Sequence, residues 1–179
     1  MKVAFLDRDG VINEEVNYLH QKSEFRYTHR CIEALQILKN EGFQIIIVTN
    51  QAGIAKGYFS ITQYHSLMRF ILNDLLENGI NILDVFFCPH HEEGVIPEYS
   101  KKCFCRKPKP GLFLNAISKY NINLSESFVV GDKVSDIEAG RAAGLKKLFL
   151  VKTGHLLEDE GNLEVFENLY SVSLFVQSG

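Results

Sequence analysis

The sequence predicts an α/β fold of three layers, in which a central, mainly parallel sheet is covered by helices on both faces. Short apolar runs rich in Val, Ile and Phe show no apolar–polar alternation, which is typical of parallel strands buried on both sides. Segments with helical spacing lie between these runs, and the repetition of strand, helix and strand favours a layered α/β architecture with right-handed crossovers. In such a fold, ligands bind at the carboxyl ends of the strands.

The individual elements follow from local patterns. Strands are predicted at 3–6, 45–48, 85–87, 128–130 and 148–151. Helices are predicted at 29–42, 60–79 and 135–144. Gly42 is the expected stop signal of the first helix and Ser60 the N-cap of the second, while Cys31 is expected to be a small buried side chain. The segment 162–176 is expected to supply a last edge strand and a closing helix.

Length and composition limit the possible functions. A chain of 179 residues with 46% hydrophobic and 23% charged residues predicts one globular domain, 1–179. A formal charge of −3 argues against binding to nucleic acid, which normally needs a basic surface. No apolar run is as long as a membrane span or the core of a signal peptide. We therefore expect a soluble, cytoplasmic protein without membrane contact, and a monomer.

Three of the four cysteines lie in one loop-like stretch, 87–111, beside a basic patch. Disulfides are rare in the cytoplasm, so this clustering indicates a metal site rather than a disulfide framework. Cys88, His90, Cys103 and Cys105 supply three thiolates and an imidazole, which suit tetrahedral Zn²⁺ with every position filled by protein. By spacing alone His91 is a rival fourth ligand, and three unlinked buried cysteines are the structural alternative.

Two aspartates follow the first predicted strand. Asp7 and Asp9 stand two residues apart, so an extended backbone would direct both carboxylates to one side. Their repulsion would then require a bridging cation or the protonation of one group. A simple turn built from Asp and the following Gly10 explains the same residues. The motif alone does not distinguish a turn from a carboxylate site.

Further polar groups follow the other strands. Asp132 and Asp136 come after the fourth strand, where capping of a helix is the simpler role. Thr49 ends the second strand, and Lys107 belongs to the basic patch. Each group has an ordinary structural explanation, but only one chemistry explains them all. Carboxylates around Mg²⁺, a carboxylate nucleophile, a second carboxylate for proton transfer and a lysine beside an anion describe phosphoryl transfer.

Four stretches carry a family resemblance: "DRDGVIN", "VTNQAGIAKG", "CRKPKPG" and "GDKVSDIEAG". Together they resemble the four motifs of the haloacid dehalogenase (HAD) superfamily of phosphatases, in order and approximate spacing, from residue 1 to about residue 154. The resemblance implies a Rossmann-like HAD fold without a large cap domain. It also implies Mg²⁺-dependent hydrolysis of a phosphate monoester.

The resemblance implies roles for the matching catalytic residues. Asp7 would be the nucleophile that becomes an aspartyl phosphate. Asp9 would protonate the leaving oxygen and afterwards activate water. Thr49 and Lys107 would hold the phosphoryl oxygens.

The same resemblance implies the magnesium ligands. Asp7, the backbone carbonyl of Asp9, and Asp132 would bind Mg²⁺. Asp136 is expected to orient Lys133 or to lie in the outer shell of the metal rather than to touch it.

The cysteine loop narrows the resemblance within the superfamily. The pattern CxH…CxCRKP is similar to that of the D-glycero-D-manno-heptose 1,7-bisphosphate 7-phosphatases and of the histidinol-phosphate phosphatases, and it favours His90 over His91. The stretches "NEEVNYLH" and "TNQAGIAKG" are closer to the heptose group. This group implies removal of a sugar 7-phosphate in the synthesis of heptose precursors for surface polysaccharides such as lipopolysaccharide. Histidinol phosphate or another small phosphate ester is the alternative substrate.

The resemblance also implies substrate contacts, with Arg106 reaching the second phosphate or the sugar and Lys133 the transferring phosphate. The expected contacts are Arg8, Glu15, Val16, Asn17, Tyr18, Asn50, Gln51, Ala52, Arg106 and Lys133. Zinc would fix the loop, so that Arg106 and Lys107 reach the phosphate site already oriented. A zinc-stabilised binding module without catalysis is the alternative of a different class.

Overall fold

Six parallel strands form one sheet at the centre of the structure, a computed structural model that describes residues 1–154 and 163–178. The strands are β1 (Val3–Leu6), β2 (Gln44–Asn50), β3 (Ile82–Cys88), β4 (Phe128–Gly131), β5 (Lys147–Val151) and β6 (Glu164–Phe166). Their order in the sheet is β3-β2-β1-β4-β5-β6, and each neighbouring pair is parallel. The first strand therefore lies inside the sheet, between β2 and β4.

Helices cover both faces of this sheet. They are α1 (Cys31–Asn40), α2 (Ala52–Ala55), α3 (Ile61–Glu77), α4 (Gly111–Lys119), α5 (Val134–Ala142) and α6 (Leu169–Ser178), with a short 3₁₀ helix at Lys22–Glu24. The first, third and sixth helices contribute buried side chains to the core on one face. The fourth and fifth helices do so on the other face.

The side chains of β1 show why the strands lack alternation in sequence. Val3 and Phe5 belong to the core beneath α4 and α5, and Ala4 and Leu6 belong to the core beneath α1, α3 and α6. All four are fully buried. Because both faces of the sheet are covered, successive positions must all be apolar, as the sequence predicted.

The predicted three-layer fold with a parallel sheet is confirmed. The first predicted strand has the bounds of β1, whereas β2 and β3 begin earlier and end later than predicted. Ser60 caps α3, and Gly42 follows α1 in the left-handed backbone conformation with φ of 81°. The edge strand and closing helix expected near the carboxyl end are β6 and α6. No helix in the described ranges is both long enough and apolar enough to span a bilayer.

Candidate active site

The carboxyl ends of neighbouring strands bring the polar motifs together. Asp7 follows β1, Thr49 lies at the end of β2, and Asp132 follows β4. Because β1 lies between β2 and β4, these three strand ends meet at one edge of the sheet. The site therefore forms where a doubly covered parallel sheet normally binds its ligand.

Three buried carboxylates form the floor of the site. Asp7, Asp132 and Asp136 each place one carboxylate oxygen within 4.8 Å of the other two. Burial, with repulsion from the neighbouring aspartates, raises the pKa of Asp7 to about 6 and that of Asp132 to about 8. Crowded carboxylates with raised pKa values are typical of a site that a cation completes. Hard oxygen donors of this kind fit a divalent cation such as Mg²⁺.

Lys107 is the buried cation of this floor. Its Nζ lies 3.1 Å from Oδ1 of Asp7 and 2.6 Å from Oδ1 of Asp136, and it donates a hydrogen bond of 2.7 Å to the carbonyl of Val48. Burial alone would lower the pKa of Lys107, but the two carboxylates outweigh burial and raise it. Lys107 is therefore a fixed positive charge beside Asp7.

Asp136 supports this arrangement from the start of α5. One of its carboxylate oxygens meets Lys107, and the other accepts a hydrogen bond of 3.0 Å from the amide of Lys133. The side chain is 1% exposed. Asp136 thus positions Lys107 and caps α5. Its contact with Lys133 is a hydrogen bond from the backbone amide of Lys133 and does not involve the Lys133 side chain.

Asp9 faces the site with its carboxylate held by several donors. Oδ1 accepts a hydrogen bond of 3.0 Å from Nδ2 of Asn13, Oδ2 accepts one of 2.9 Å from Nε2 of Gln51, and both oxygens contact Arg8. Burial raises the pKa of Asp9, but Arg8 and these hydrogen bonds outweigh it and lower the pKa. Asp9 is therefore ionised in the protein without substrate.

The end of β2 supplies the remaining polar groups. Thr49 is 1% exposed, and its hydroxyl oxygen lies 2.9 Å from Nε2 of Gln51, the same amide group that contacts Asp9. The side chain of Asn50 makes two hydrogen bonds of 3.1 Å to the backbone of Lys107, one to its amide and one to its carbonyl. Asn50 therefore joins β2 to the segment that carries Lys107.

A cavity of about 500 Å³ opens above these groups. It is lined by Asp7, Asp9, Glu15, Asn17, Tyr18, Asn50, Gln51, Ala52, Gly53, Lys56, His91, Arg106, Lys107, Pro108, Lys133, Ser135 and Asp136. Most of the residues that the sequence suggested as substrate contacts are among them. A larger cavity of about 800 Å³, beside Lys2, Phe43 and Lys147 at the starts of strands, lies away from the carboxylates.

Five residues of the cavity lining were not suggested as catalytic or substrate-contact residues by the sequence: Gly53, Lys56, His91, Pro108 and Ser135. Two of them, Lys56 and His91, carry basic side chains. Lys56 directly follows α2, four positions after Ala52, so one helical turn brings it to the cavity. That spacing was visible in "AGIAKG". His91 was considered only as a zinc ligand, and its position beside the cavity follows from the path of the loop, which spacing does not reveal.

Two expected substrate contacts lie elsewhere. Arg8 has no exposed surface and does not line the cavity, because its guanidinium turns inward to pair with Asp9. Val16 is 40% exposed and is absent from the cavity lining, although its neighbours Glu15 and Asn17 line it. We therefore no longer assign either side chain to direct substrate contact.

Two glycines pack closely against the carboxylate of Asp132, one of the expected Mg²⁺ ligands. Gly10 has φ of 82°, and a Cβ atom added to it would lie 2.5 Å from Oδ2 of Asp132. A Cβ atom added to Gly154 would overlap the same oxygen. The hydroxyl of Thr153 donates a hydrogen bond to the carbonyl of Gly10. The segment after β5 thus completes the site, and only glycine leaves room for the carboxylate.

The cysteines form a second cluster at the end of β3. The Sγ atom of Cys88 lies 3.5 Å from that of Cys103 and 3.1 Å from that of Cys105, and Nδ1 of His90 lies 3.6 Å from Cys88 and 3.4 Å from Cys105. A tetrahedron with Zn–S bonds of about 2.3 Å has edges of about 3.8 Å. The four ligand atoms are thus spaced for one zinc ion. The fourth cysteine, Cys31, is buried in α1, apart from this cluster.

His91 points away from the cysteine cluster. Its Nδ1 accepts a hydrogen bond of 3.1 Å from the amide of Glu93, and its ring lines the cavity. The structure therefore brings His90, and not His91, to the three thiols.

The loop that follows β3 docks on the turn that carries Lys56. The amides of Val95 and Ile96 donate hydrogen bonds of 2.8 Å and 3.0 Å to the carbonyl of Ala55. Arg106, near the end of the loop, donates one of 3.3 Å to the carbonyl of His90, near its start. The middle of the loop is therefore anchored to the turn at Ala55, and its two ends are joined to each other.

Comparisons with known proteins agree with this site. Residues 104–171 match the family model Hydrolase_like, described as HAD-hydrolase-like. The chain is 52% identical, over 99% of its length and 97% of the relative, to a D-glycero-alpha-D-manno-heptose-1,7-bisphosphate 7-phosphatase of Photorhabdus laumondii. It is 44% identical, over 96% of its length and 93% of the relative, to a D-glycero-beta-D-manno-heptose-1,7-bisphosphate 7-phosphatase of Pasteurella multocida.

Among solved structures, the chain resembles a D,D-heptose 1,7-bisphosphate phosphatase from B. bronchiseptica, which was determined in complex with magnesium and phosphate. The TM-score is 0.85 at 27% identity, and the similarity covers 100% of both chains. The fold and the full length of the chain are therefore shared with that protein.

Proposed function

The chain belongs to the family of HAD phosphatases that includes the heptose 1,7-bisphosphate 7-phosphatases, and we propose that it removes the 7-phosphate of a D-glycero-D-manno-heptose 1,7-bisphosphate. The observation that carries this proposal is the group of buried charges beneath the cavity, where Asp7 contacts the cation Lys107 and has the carboxylate of Asp132 within 4.8 Å. Asp9 lines the same cavity. A nucleophile, an acid–base group and a phosphate-binding cation are thus present together.

In the first step, the carboxylate of Asp7 attacks phosphorus and displaces the sugar oxygen. The amide of Arg8 donates a hydrogen bond of 2.7 Å to Oδ1 of Asp7, and Lys107 contacts the same oxygen, so the carboxylate is fixed before the substrate arrives. Lys107 also supplies positive charge for the equatorial oxygens of the phosphoryl group. Asp9 gives the proton to the leaving oxygen, since the negative charge of a bound phosphate favours protonation of a neighbouring carboxylate.

In the second step, the acyl phosphate on Asp7 is hydrolysed. Asp9, now ionised, accepts a proton from the attacking water. The water oxygen bonds to phosphorus, the bond between phosphorus and the Asp7 oxygen breaks, and Asp7 is released as a carboxylate. The hydrogen bonds from Asn13 and Gln51 favour this ionised form. Asp9 therefore alternates between acid and base without a change of position.

Mg²⁺ would be held by Asp7, the backbone carbonyl of Asp9, and Asp132. When bound, Mg²⁺ supplies positive charge to the carboxylates and to the phosphoryl oxygens. The crowding of buried carboxylates, which raises the pKa of Asp7 and Asp132, fits this role. Asp136 is not needed as a ligand, because both of its oxygens have partners in the protein.

The rim of the cavity suits a second phosphate. Lys56, Arg106 and Lys133 all line it. Lys133 lies 4.0 Å from Glu15, whereas neither Lys56 nor Arg106 forms an ion pair with a carboxylate of residues 1–154 or 163–178. Two cations without carboxylate partners at a cavity mouth favour a substrate with a second anionic group, as a sugar bisphosphate has.

Zn²⁺ would be bound by Cys88, His90, Cys103 and Cys105 in a closed structural site. All four ligands come from protein, so no position is left for substrate. Since Cys105 directly precedes Arg106 and Lys107, the ion would fix the backbone that delivers both cations. The role is structural and supports the catalytic site.

We propose the α anomer as the preferred substrate. The relative named for the α anomer is 52% identical to the chain, against 44% for the relative named for the β anomer. Both alignments cover almost the whole chain, so the two identities can be compared directly. Activity in the cytoplasm, in the synthesis of heptose precursors for a surface polysaccharide, fits a phosphatase of this specificity.

A substrate panel tests the proposal. The purified protein with Mg²⁺ is given the α and β anomers of heptose 1,7-bisphosphate and histidinol phosphate, and kcat/KM is measured for each. We expect the α anomer to give the highest value, with ³¹P NMR showing loss of the 7-phosphate and retention of the 1-phosphate. Asp7→Asn should abolish this release. A higher kcat/KM for histidinol phosphate would contradict the proposal, and a preference for the β anomer would contradict its anomeric part alone.

A further inference from the structure

Arg8 is the largest fully buried side chain of the molecule's described part, and it is directly adjacent to the nucleophile. A buried guanidinium is costly unless its hydrogen bonds are satisfied. Its neighbours in sequence, Asp7 and Asp9, both face the cavity, whereas Arg8 turns away from it. The direction of Arg8 therefore requires an explanation other than substrate binding.

The guanidinium of Arg8 donates hydrogen bonds to both carboxylate oxygens of Asp9. Nη2 lies 2.7 Å from Oδ1 and 2.8 Å from Oδ2 of Asp9, and Nε lies 3.1 Å from Oδ1. Because these contacts reach both oxygens, they restrict the rotation of the carboxylate as well as its position. No other residue donates to both oxygens of Asp9 in the hydrogen bonds of the described ranges.

The guanidinium of Arg8 also contacts residues of the core. Nη1 lies 3.7 Å from the sulfur of Met68, Nη2 lies 3.4 Å from the carbonyl of Leu19, and the guanidinium carbon lies 5.9 Å from the centre of the Tyr64 ring. Met68 and Tyr64 belong to α3, which packs against the sheet. A rigid helix thus supports Arg8, and Arg8 supports Asp9.

We propose that Arg8 is a positioning residue that holds the carboxylate of Asp9 in line with the leaving oxygen of the substrate. Asn13 and Gln51 each donate to only one oxygen of Asp9, so neither fixes the plane of the carboxylate alone. The inference rests on the proposed function, in which Asp9 transfers the proton. It gives a catalytic reason for a charged side chain in the core.

Leaving-group dependence separates this role from a purely structural one. An alkoxide such as the sugar oxygen needs a proton as it departs, whereas 4-nitrophenolate departs without one. If Arg8 acts through Asp9, Arg8→Lys should lower kcat/KM for the heptose bisphosphate by about 10- to 100-fold. The same variant should change kcat/KM for 4-nitrophenyl phosphate by less than about threefold, because kcat/KM reports the first step, in which this leaving group needs little help from the acid.

The controls keep the result interpretable. Arg26→Lys changes an exposed arginine whose side-chain hydrogen bonds, within the part of the chain that the structure describes, go to backbone carbonyls, and it should change kcat/KM for neither substrate. Mg²⁺ affinity of Arg8→Lys, measured by calorimetric titration, should equal that of the native protein, because Asp7 and Asp132 are intact. Arg8→Gln, with a neutral donor, replaces the lysine variant where that variant does not fold.

A double-mutant cycle gives the decisive comparison. In the Asp9→Asn background, Arg8→Lys should cause no further loss with either substrate, because the group it positions is already absent. Equal losses for both substrates in the single variant, or a full additional loss in the double variant, would overturn the inference. If the native protein released phosphate from neither ester, the proposed function itself would fail, which is a separate outcome.

Discussion

The ammonium of Lys107 lies 2.6 Å from Oδ1 of Asp136, closer than its distance of 3.1 Å from Oδ1 of Asp7. Lys107 follows the cysteine loop, and Asp136 lies in the first turn of α5. The pair therefore joins the segment after the cysteine loop to the start of α5, and it holds the ammonium beside the nucleophile. Asp136 has this role because its other oxygen is fixed by the amide of Lys133.

Asp136→Asn should separate positioning from metal binding. The amide still accepts the hydrogen bond from Lys133 but removes the charge that holds Lys107, so we expect kcat to fall by about 10- to 100-fold. The Mg²⁺ affinity, measured by calorimetric titration, should change by less than about threefold, in line with a group outside the metal ligands. Asp132→Asn is the matched variant, and its Mg²⁺ affinity should fall strongly. Equal losses of affinity in both variants would show that Asp136 is a ligand.

Gly154→Ala should weaken the same metal site from a different direction. The added methyl group would overlap Oδ2 of Asp132, so the carboxylate must rotate or the backbone must shift. We expect the Mg²⁺ affinity to fall by about tenfold or more, as for other groups that orient a ligand. Thr153→Ser keeps the hydroxyl that bonds Gly10 and serves as the control, with unchanged affinity. An unchanged affinity in the alanine variant would mean that this segment does not orient Asp132.

Removal of zinc should loosen the loop and the phosphate site together. The native protein is expected to contain one zinc ion per chain, measured by atomic emission, and Cys105→Ser should contain far less. Loss of the ion should lower Tm and reduce kcat/KM, since Arg106 and Lys107 follow Cys105 directly. Cys31→Ala, a change to the cysteine outside the cluster, should keep the full zinc content. If Tm and kcat/KM both survived the loss of zinc, the loop would not depend on the ion.

Ser60→Ala should affect stability without affecting activity. The Ser60 hydroxyl accepts a hydrogen bond of 3.1 Å from the amide of Gln63, and the Gln63 side chain accepts one of 2.8 Å from the amide of Ser60. Loss of this cap is expected to lower the free energy of unfolding by about 1 kcal/mol in urea titrations. Ser66→Ala, at an exposed position inside the same helix, should cause no such loss. An equal decrease in the free energy of unfolding for both variants would show that the hydrogen bonds of the cap do not stabilise the protein.

Much of the fold was predictable because the sheet is buried on both faces. Apolar runs without alternation identify such strands directly, and the run 3–6 coincides with β1. The capping pair at Ser60 likewise follows from residues three positions apart. The bounds of β2 were less visible, because Thr49 and Asn50 are polar residues that remain hydrogen-bonded in the strand. The short helix α2 lacks enough residues to show a helical period.

The site was predictable where the chain itself enforces proximity. Asp7 and Asp9 are two residues apart at one strand end, and the clustering of cysteines in sequence indicated the three thiols that the structure brings together. The direction of Arg8 was not predictable, because its environment is made by Met68 and Tyr64, about sixty residues away in sequence. Polar residues beside a motif suggest substrate contact, and only tertiary packing shows which of them turn inward.

The central claim is that the carboxylate of Asp7 forms a covalent bond to the phosphoryl group. Rapid mixing of the protein with excess substrate and Mg²⁺, followed by acid quenching and reduction with borohydride, converts an acyl phosphate of aspartate to homoserine. We expect peptide mass spectrometry to find homoserine at position 7 in the native protein and in no other position. Full turnover without homoserine at position 7, or homoserine at another aspartate, would contradict the account.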